Sequence, residues 1–145
     1  MSYSGKHEFN QSIPQGWETY THRFNLAGSN HRLDMVKTAL EGNEDPNIFI
    51  KTEPDNERDK NALMVMVKRK MFFVFNPDFH IGYIPRPLAK ILYQNKVQKI
   101  VKIRITHLNV HESGKVSVIC DIMGPLNLYS DKLKTQTDNC EMYED

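Results

Sequence analysis

The chain has 145 residues, 19 Lys and Arg against 18 Asp and Glu, and a formal charge of +1. That length supports one domain with its own hydrophobic core, and so even a charge balance, averaged over the whole chain, identifies no partner. Two cysteines, Cys120 and Cys140, make no disulfide framework. No apolar run reaches membrane-spanning length, and Met1–Lys6 has no signal-peptide core, so a cytoplasmic location is expected.

Residues 1–20 are polar apart from a lone Trp17 that could pin the segment to the body, and they are expected to be a flexible lead, partly ordered at best. Thr21–Leu26 alternates enough for a first strand. Leu33, Val36, Ala39 and Leu40 have the spacing of a short helix that Gly42 stops. Ile48-Phe49-Ile50 reads as a strand, then a polar loop follows over Glu53–Asn61. Pro54-Asp55-Asn56 within it is strong turn chemistry, because proline presets φ and the Asp and Asn side chains bond their own backbone.

Ala62–Lys68 is apolar on both faces, as a central strand would be. Met71–Phe75 is expected to return as a strand, Asn76-Pro77-Asp78 to turn, and Ile81–Ile84 to form the next strand. Pro85-Arg86-Pro87 opens a helix to about Asn95 with Leu88, Ile91 and Leu92 inward. Val97–Thr106 alternates Lys99, Lys102 and Arg104 with apolar residues, the pattern of a half-buried strand with a basic outer face. Asn109–Gly114 makes a turn and Val116–Met123 the last strand, with Cys120 a small buried side chain.

Charge is distributed unevenly. Between Asp78 and Glu112 there is no acidic residue, while Arg86, Lys90, Lys96, Lys99, Lys102 and Arg104 are basic; the last fifteen residues run the other way, with Asp131, Asp138, Glu141, Glu144 and Asp145 against Lys132 and Lys134. A basic segment with an acidic tail suits a polyanionic partner plus a solvated end, although a clustered charged surface gives the same pattern. Short strands with two short helices give an all-β, β-rich fold. The pattern alone does not separate an OB-like barrel from other small barrels.

Three pieces, in order, resemble the HIRAN domain family: Ala27-Gly28; Glu53-Pro54-Asp55-Asn56 with Asp59-Lys60-Asn61-Ala62; and Gly82-Tyr83-Ile84-Pro85 with Leu88-Ala89. Such modules occur fused to SNF2-type helicase and ubiquitin-ligase proteins of fork repair, and as standalone bacterial and phage proteins. The resemblance implies an OB-like β-barrel, placed over residues 21–125; composition puts a flexible 1–20 segment before it and an acidic 126–145 tail after it. It also implies that the barrel holds the 3′ end of single-stranded DNA in repair or replication intermediates, with a helicase or other repair protein as a possible partner.

The chemistry of such a site is simple. A free 3′-hydroxyl donates a hydrogen bond and a carboxylate only accepts, a charge-assisted bond of about 1.5–3 kcal/mol. An internal 3′ oxygen carries no proton and lies beside a phosphate that a carboxylate repels. The resemblance assigns that carboxylate to Asp59, with Asn61 beside it; the competing reading is that both only tie the loop to its own backbone. Where family members place stacking aromatics, this chain has His31 with Arg32, and Arg58, whose planar groups also stack on bases. Tyr83 is the remaining aromatic candidate, or else a strand tyrosine packed at the barrel edge.

Arg86 matches the family's phosphate-contacting position at a helix head, where helix N-terminus and guanidinium both favour a phosphate. Lys90 lies one turn on, and Lys60 is a further candidate that could equally face solvent. Enzyme readings are weaker. Asp55 and Asp59-Lys60 lie too close together for a PD-(D/E)xK nuclease. The loop lacks the glycine and distal glutamate of an EF-hand, and His107, His111 and Glu112 lie in a strand-turn region where i, i+4 spacing does not converge on a metal. Ser113-Gly114-Lys115 is no phosphate loop. A non-enzymatic binding protein with neither cofactor nor metal is expected; the alternative is a phage or bacterial protein-interaction adaptor on the same fold.

Overall fold

The computed structural model describes residues 5–71, 75–126, 130–138 and 140. Its strands are β1 (Gly5–Glu8), β2 (Trp17–Asn25), β3 (Asn47–Thr52), β4 (Leu63–Lys68), β5 (Asp78–Tyr83), β6 (Lys102–Val110) and β7 (Val116–Pro125). The helices are α1 (Leu33–Leu40), α2 (Arg86–Gln94) and α3 (Ser130–Asp138), with a 3-10 turn at Ser29–His31. One sheet has the order β1-β6-β7-β2 and the other β3-β4-β5, and every pairing is antiparallel. The fold is β-rich and OB-like, as expected. It departs from the expectation in having a third helix, and in sheets that are not closed into a continuous barrel.

Among the described residues, the two sheets are joined by main chain at one place. Ala27 and Tyr83 exchange two backbone hydrogen bonds of 2.9 Å, linking the end of β2 to the end of β5. Between β6 and the start of β3 a side chain bridges the gap: Gln11 accepts from the Ile105 N–H at 2.9 Å and donates to the Pro46 carbonyl at 2.6 Å. The core fills the space between. Leu63, Val65 and Val67 of β4, Ile81 of β5, Ile105, Leu108 and Ile122 are all fully buried. Val36 and Leu40 of α1, and Leu88 and Leu92 of α2, complete it.

Sequence patterns broke down in a few places, each for a visible reason. Residues 97–101 form a turn rather than a strand, because Val97 and Val101 are four apart and both buried. Ile100 and Val101 donate back to the Val97 carbonyl. A bulge between Ile105 and His107 then switches which residues of β6 face inward, from Ile103 and Ile105 to Leu108 and Val110. Arg104, expected on a basic outer face, is instead neutralised: its Nε lies 2.8 Å from Asp121 Oδ2, whose other oxygen accepts from the Arg23 N–H at 2.7 Å. Burial pushes the Cys120 thiol well up, as suits a small core side chain.

The lead segment contributes β1, paired with β6 from Gly5 opposite Val110 to Glu8 opposite His107. Trp17 starts β2, with the Lys102 ammonium 5.0 Å from its ring centroid. In the C-terminal segment, α3 buries Leu133 and ties itself to the body through Asn95–Gln136 at 2.7 Å and a Lys134–Glu18 ion pair. The expected strand at Met71–Phe75 lies largely outside the described residues; its ends, Met71 and Phe75, form one antiparallel bridge. No helix among the described residues is long and apolar enough to cross a membrane.

Candidate nucleic-acid interface

The Ala27–Tyr83 junction forces two stretches of backbone into contact, and Gly82 is what allows it. A Cβ there would meet Ser29 Oγ at 2.8 Å, the Ala27 carbonyl at 2.9 Å and Leu26 Cβ at 3.0 Å. Ser29 Oγ in turn donates to the Ile81 carbonyl at 2.7 Å. Gly28, at φ 75, supplies the left-handed residue that turns the chain into the 3-10 segment. A groove of about 1240 Å³ opens beside this junction, lined by Ala27-Gly28, the 53–62 loop and the Tyr83–Pro87 segment.

The loop between β3 and β4 holds itself in shape. Asn56 Oδ1 accepts from the N–H groups of Arg58 and Asp59, both at 2.9 Å, while its Nδ2 donates to Glu53 Oε1 at 2.5 Å. Asp59 Oδ1 accepts from the Asn61 N–H at 3.0 Å. Its second oxygen, Oδ2, stands 3.7 Å from Arg86 Nε at the head of α2. The Asp59 carboxylate therefore does both things weighed from the sequence: one oxygen ties the loop, and the other faces a cation across the groove wall.

On the facing wall Tyr83 donates its hydroxyl to Glu53 Oε1 at 2.9 Å. The Arg32 guanidinium lies over its ring, 5.1 Å from the centroid, and the His80 ring meets it edge-on at 4.6 Å. In a regular strand residues three apart point to opposite faces. Here a bulge in the β4–β5 pairing, with Met66 opposite His80 but Val65 opposite Gly82, re-phases the strand and brings the two rings together. Arg32 Nε donates to His80 Nδ1 at 3.2 Å, so His80 carries its proton on Nε2, which donates to the Gly82 carbonyl at 2.8 Å.

Titration follows from these contacts. Burial first, and the Arg32 charge second, hold His80 below the ordinary histidine range. The Asn56 amide holds Glu53 low against the opposing effect of burial, with Tyr83, His80 and Arg32 adding to it. Burial and the neighbouring Glu53 raise the Tyr83 hydroxyl.

Of the residues expected at the site, His31, Arg32, Arg58, Asp59, Tyr83 and Arg86 all line the groove, whereas Lys60, Asn61 and Lys90 do not. Lys60 and Lys90 are exposed, and Asn61 is engaged through its backbone N–H. Sequence reasoning missed Glu53 and His80, whose roles arise only when the loop after β3 meets Tyr83 and when Arg32 meets β5, and Asn56 as the loop's hub, for which its turn-forming chemistry was the available signal. It also missed the charge asymmetry of the walls. Glu53, Asp55, Glu57 and Asp59 of the loop outnumber its one lining arginine, Arg58, while Arg32 and Arg86 reach the groove from other segments.

The family model described as HIRAN domain matches residues 20–127. The chain therefore belongs to the HIRAN domain family. Among solved structures it is similar to the HIRAN domain of human HLTF, at 16% identity over 86% of this chain and 92% of that chain, with a TM-score of 0.49. No curated protein matches it.

Proposed function

We propose that the groove binds the 3′ end of single-stranded DNA without catalysing a reaction, as part of the recognition of repair or replication intermediates. The observation that carries this reading is Asp59 Oδ2, 3.7 Å from Arg86 on the groove wall. An acceptor for a terminal hydroxyl and a cation for the adjoining phosphate stand side by side. The pair is loose enough for a ligand's hydroxyl and phosphate to take up its two halves. Asp59 would accept the hydroxyl, Arg86 the phosphate, and the guanidinium planes of Arg32 and Arg58 would flank the last bases with His31 and Tyr83. A carboxylate-rich loop repels a continuing chain of phosphates, which favours an end over a strand interior.

Fluorescence anisotropy with 3′-hydroxyl and 3′-phosphate strands tests the reading. A charge-assisted bond of about 1.5–3 kcal/mol corresponds to a preference of roughly 10- to 100-fold for the hydroxyl. Asp59→Asn keeps an acceptor for the Asn61 N–H while removing the charge, and should lose most of that preference without loss of stability. Equal binding of both ends by the wild type contradicts the proposal. Absence of any binding at low salt, with a stably co-purifying protein, would favour a protein-interaction module on the same fold.

A further inference from the structure

We propose that a strand leaving the groove runs along the outer face of α2, with Lys90, Lys96 and Lys99 neutralising its phosphates. This rests on the end-binding reading and extends it from the terminus to the nucleotides that precede it. Six cations lie in the stretch without acidic residues between Asp78 and Glu112, and the structure sorts them. Arg104 is locked against Asp121, Lys102 stands over Trp17, and Arg86 faces Asp59 in the groove. Lys90, Lys96 and Lys99 are exposed, and among the described residues none has an ion-pair partner.

Their placement defines a direction. Lys90 is four residues after Arg86 on α2, so the two share a face. Lys96 follows the C-cap residue Asn95, with φ 57, and Lys99 lies in the turn after it. Nine helical residues span about 14 Å at 1.5 Å each, roughly the length of four stacked nucleotides at 3.4 Å. The loop bank offers a polyanion no equivalent route, because its exposed Arg58 and Lys60 are interleaved with Asp55, Glu57 and Asp59 and form no run of cations free of carboxylates. The neighbouring α3 carries Asp131 and Asp138, both exposed, yet neither pairs with these lysines. Its Gln136–Asn95 contact leaves Lys96 open to solvent.

The test compares 3′-hydroxyl strands of three and twelve nucleotides over a salt series, using the full chain and the Lys90→Gln/Lys96→Gln/Lys99→Gln variant. Three phosphate contacts add about 2 to the magnitude of the log–log salt slope for a single strand. The wild type should bind the longer strand at least about ten-fold more tightly and with that steeper slope. The variant should lose the gain and the added slope while keeping the affinity for the trinucleotide and the hydroxyl preference. A length gain that survives in the variant, or is absent from the wild type, overturns the proposal. A wild type without hydroxyl preference whose length gain the variant still abolishes defeats the end-reading instead and leaves the lysine face as a phosphate path.

Discussion

The two banks of the groove are built in opposite ways. The loop bank is cross-tied by its own side chains: Asn56 accepts two backbone N–H groups, Asp59 a third, and Glu53 is held by both Asn56 and Tyr83. Its critical carboxylate is only 19% exposed. The helix bank presents cations that nothing holds tightly; the Arg86 side chain is 68% exposed and makes one loose contact. A fixed acceptor can discriminate between chemical groups, because moving it to suit the wrong one breaks other bonds. An exposed cation attracts any phosphate and discriminates little. Selectivity should therefore belong to the loop, and affinity with its salt dependence to the helix.

The largest effect should come from the junction beneath both banks. Gly82→Ala drives a Cβ against the Ala27 carbonyl, a backbone atom that cannot yield without opening the bridge between sheets. A loss of about 3 kcal/mol is expected in denaturant unfolding, and a stability unchanged by that substitution would break the comparison at its base. Asn56→Ala should follow at about 2 kcal/mol, since two backbone donors lose their acceptor. It should also blunt the distinction between hydroxyl and phosphate ends, which anisotropy reads directly.

Arg86→Gln should do the reverse. Stability should stay within about 0.5 kcal/mol, while the log–log salt slope falls by about 0.7 for one lost phosphate contact and the ratio between end types is unchanged. A Tyr83→Phe variant, losing one hydroxyl donor to Glu53, should cost about 1 kcal/mol or less.

Acid sharpens the same comparison. The native His80 is held below its ordinary range, so as pH falls below about 6.5 the unfolded chain takes up protons that the native state does not. The stability it contributes is full above that pH and is lost as pH falls through the native value. Protonation also removes the Nδ1 acceptor of Arg32. Unfolding midpoints measured from pH 7.5 to 5 should therefore fall in the wild type and fall less in His80→Asn.

Much of this was legible from residue order. The spacing of Leu33, Val36, Ala39 and Leu40 predicts α1 at its observed bounds, and the apolar run after the loop predicts β4 as a central strand. Asp59 could be brought to the groove because it sits in a matched motif, and Arg58 and Arg86 because they stand next to matched residues, Arg58 in place of a family aromatic. What stayed hidden depends on contacts between distant segments. The bulge that turns His80 toward Tyr83 leaves no mark in composition. The polar α3 buries Leu133 and Thr137 on one narrow stripe that its charged neighbours mask. Gln11 looks like any polar residue of a lead segment until its amide is found bridging β6 and the start of β3.

The claim that Asp59 reads a strand terminus is tested most directly by competition between a linear oligonucleotide and a covalently closed circle of the same sequence and length. The circle has every base and phosphate and lacks only the end. The account predicts that the circle displaces a bound 3′-hydroxyl probe at least about ten-fold less well than the linear strand, and that Asp59→Asn narrows the gap. A circle that competes as well as its linear counterpart would contradict it.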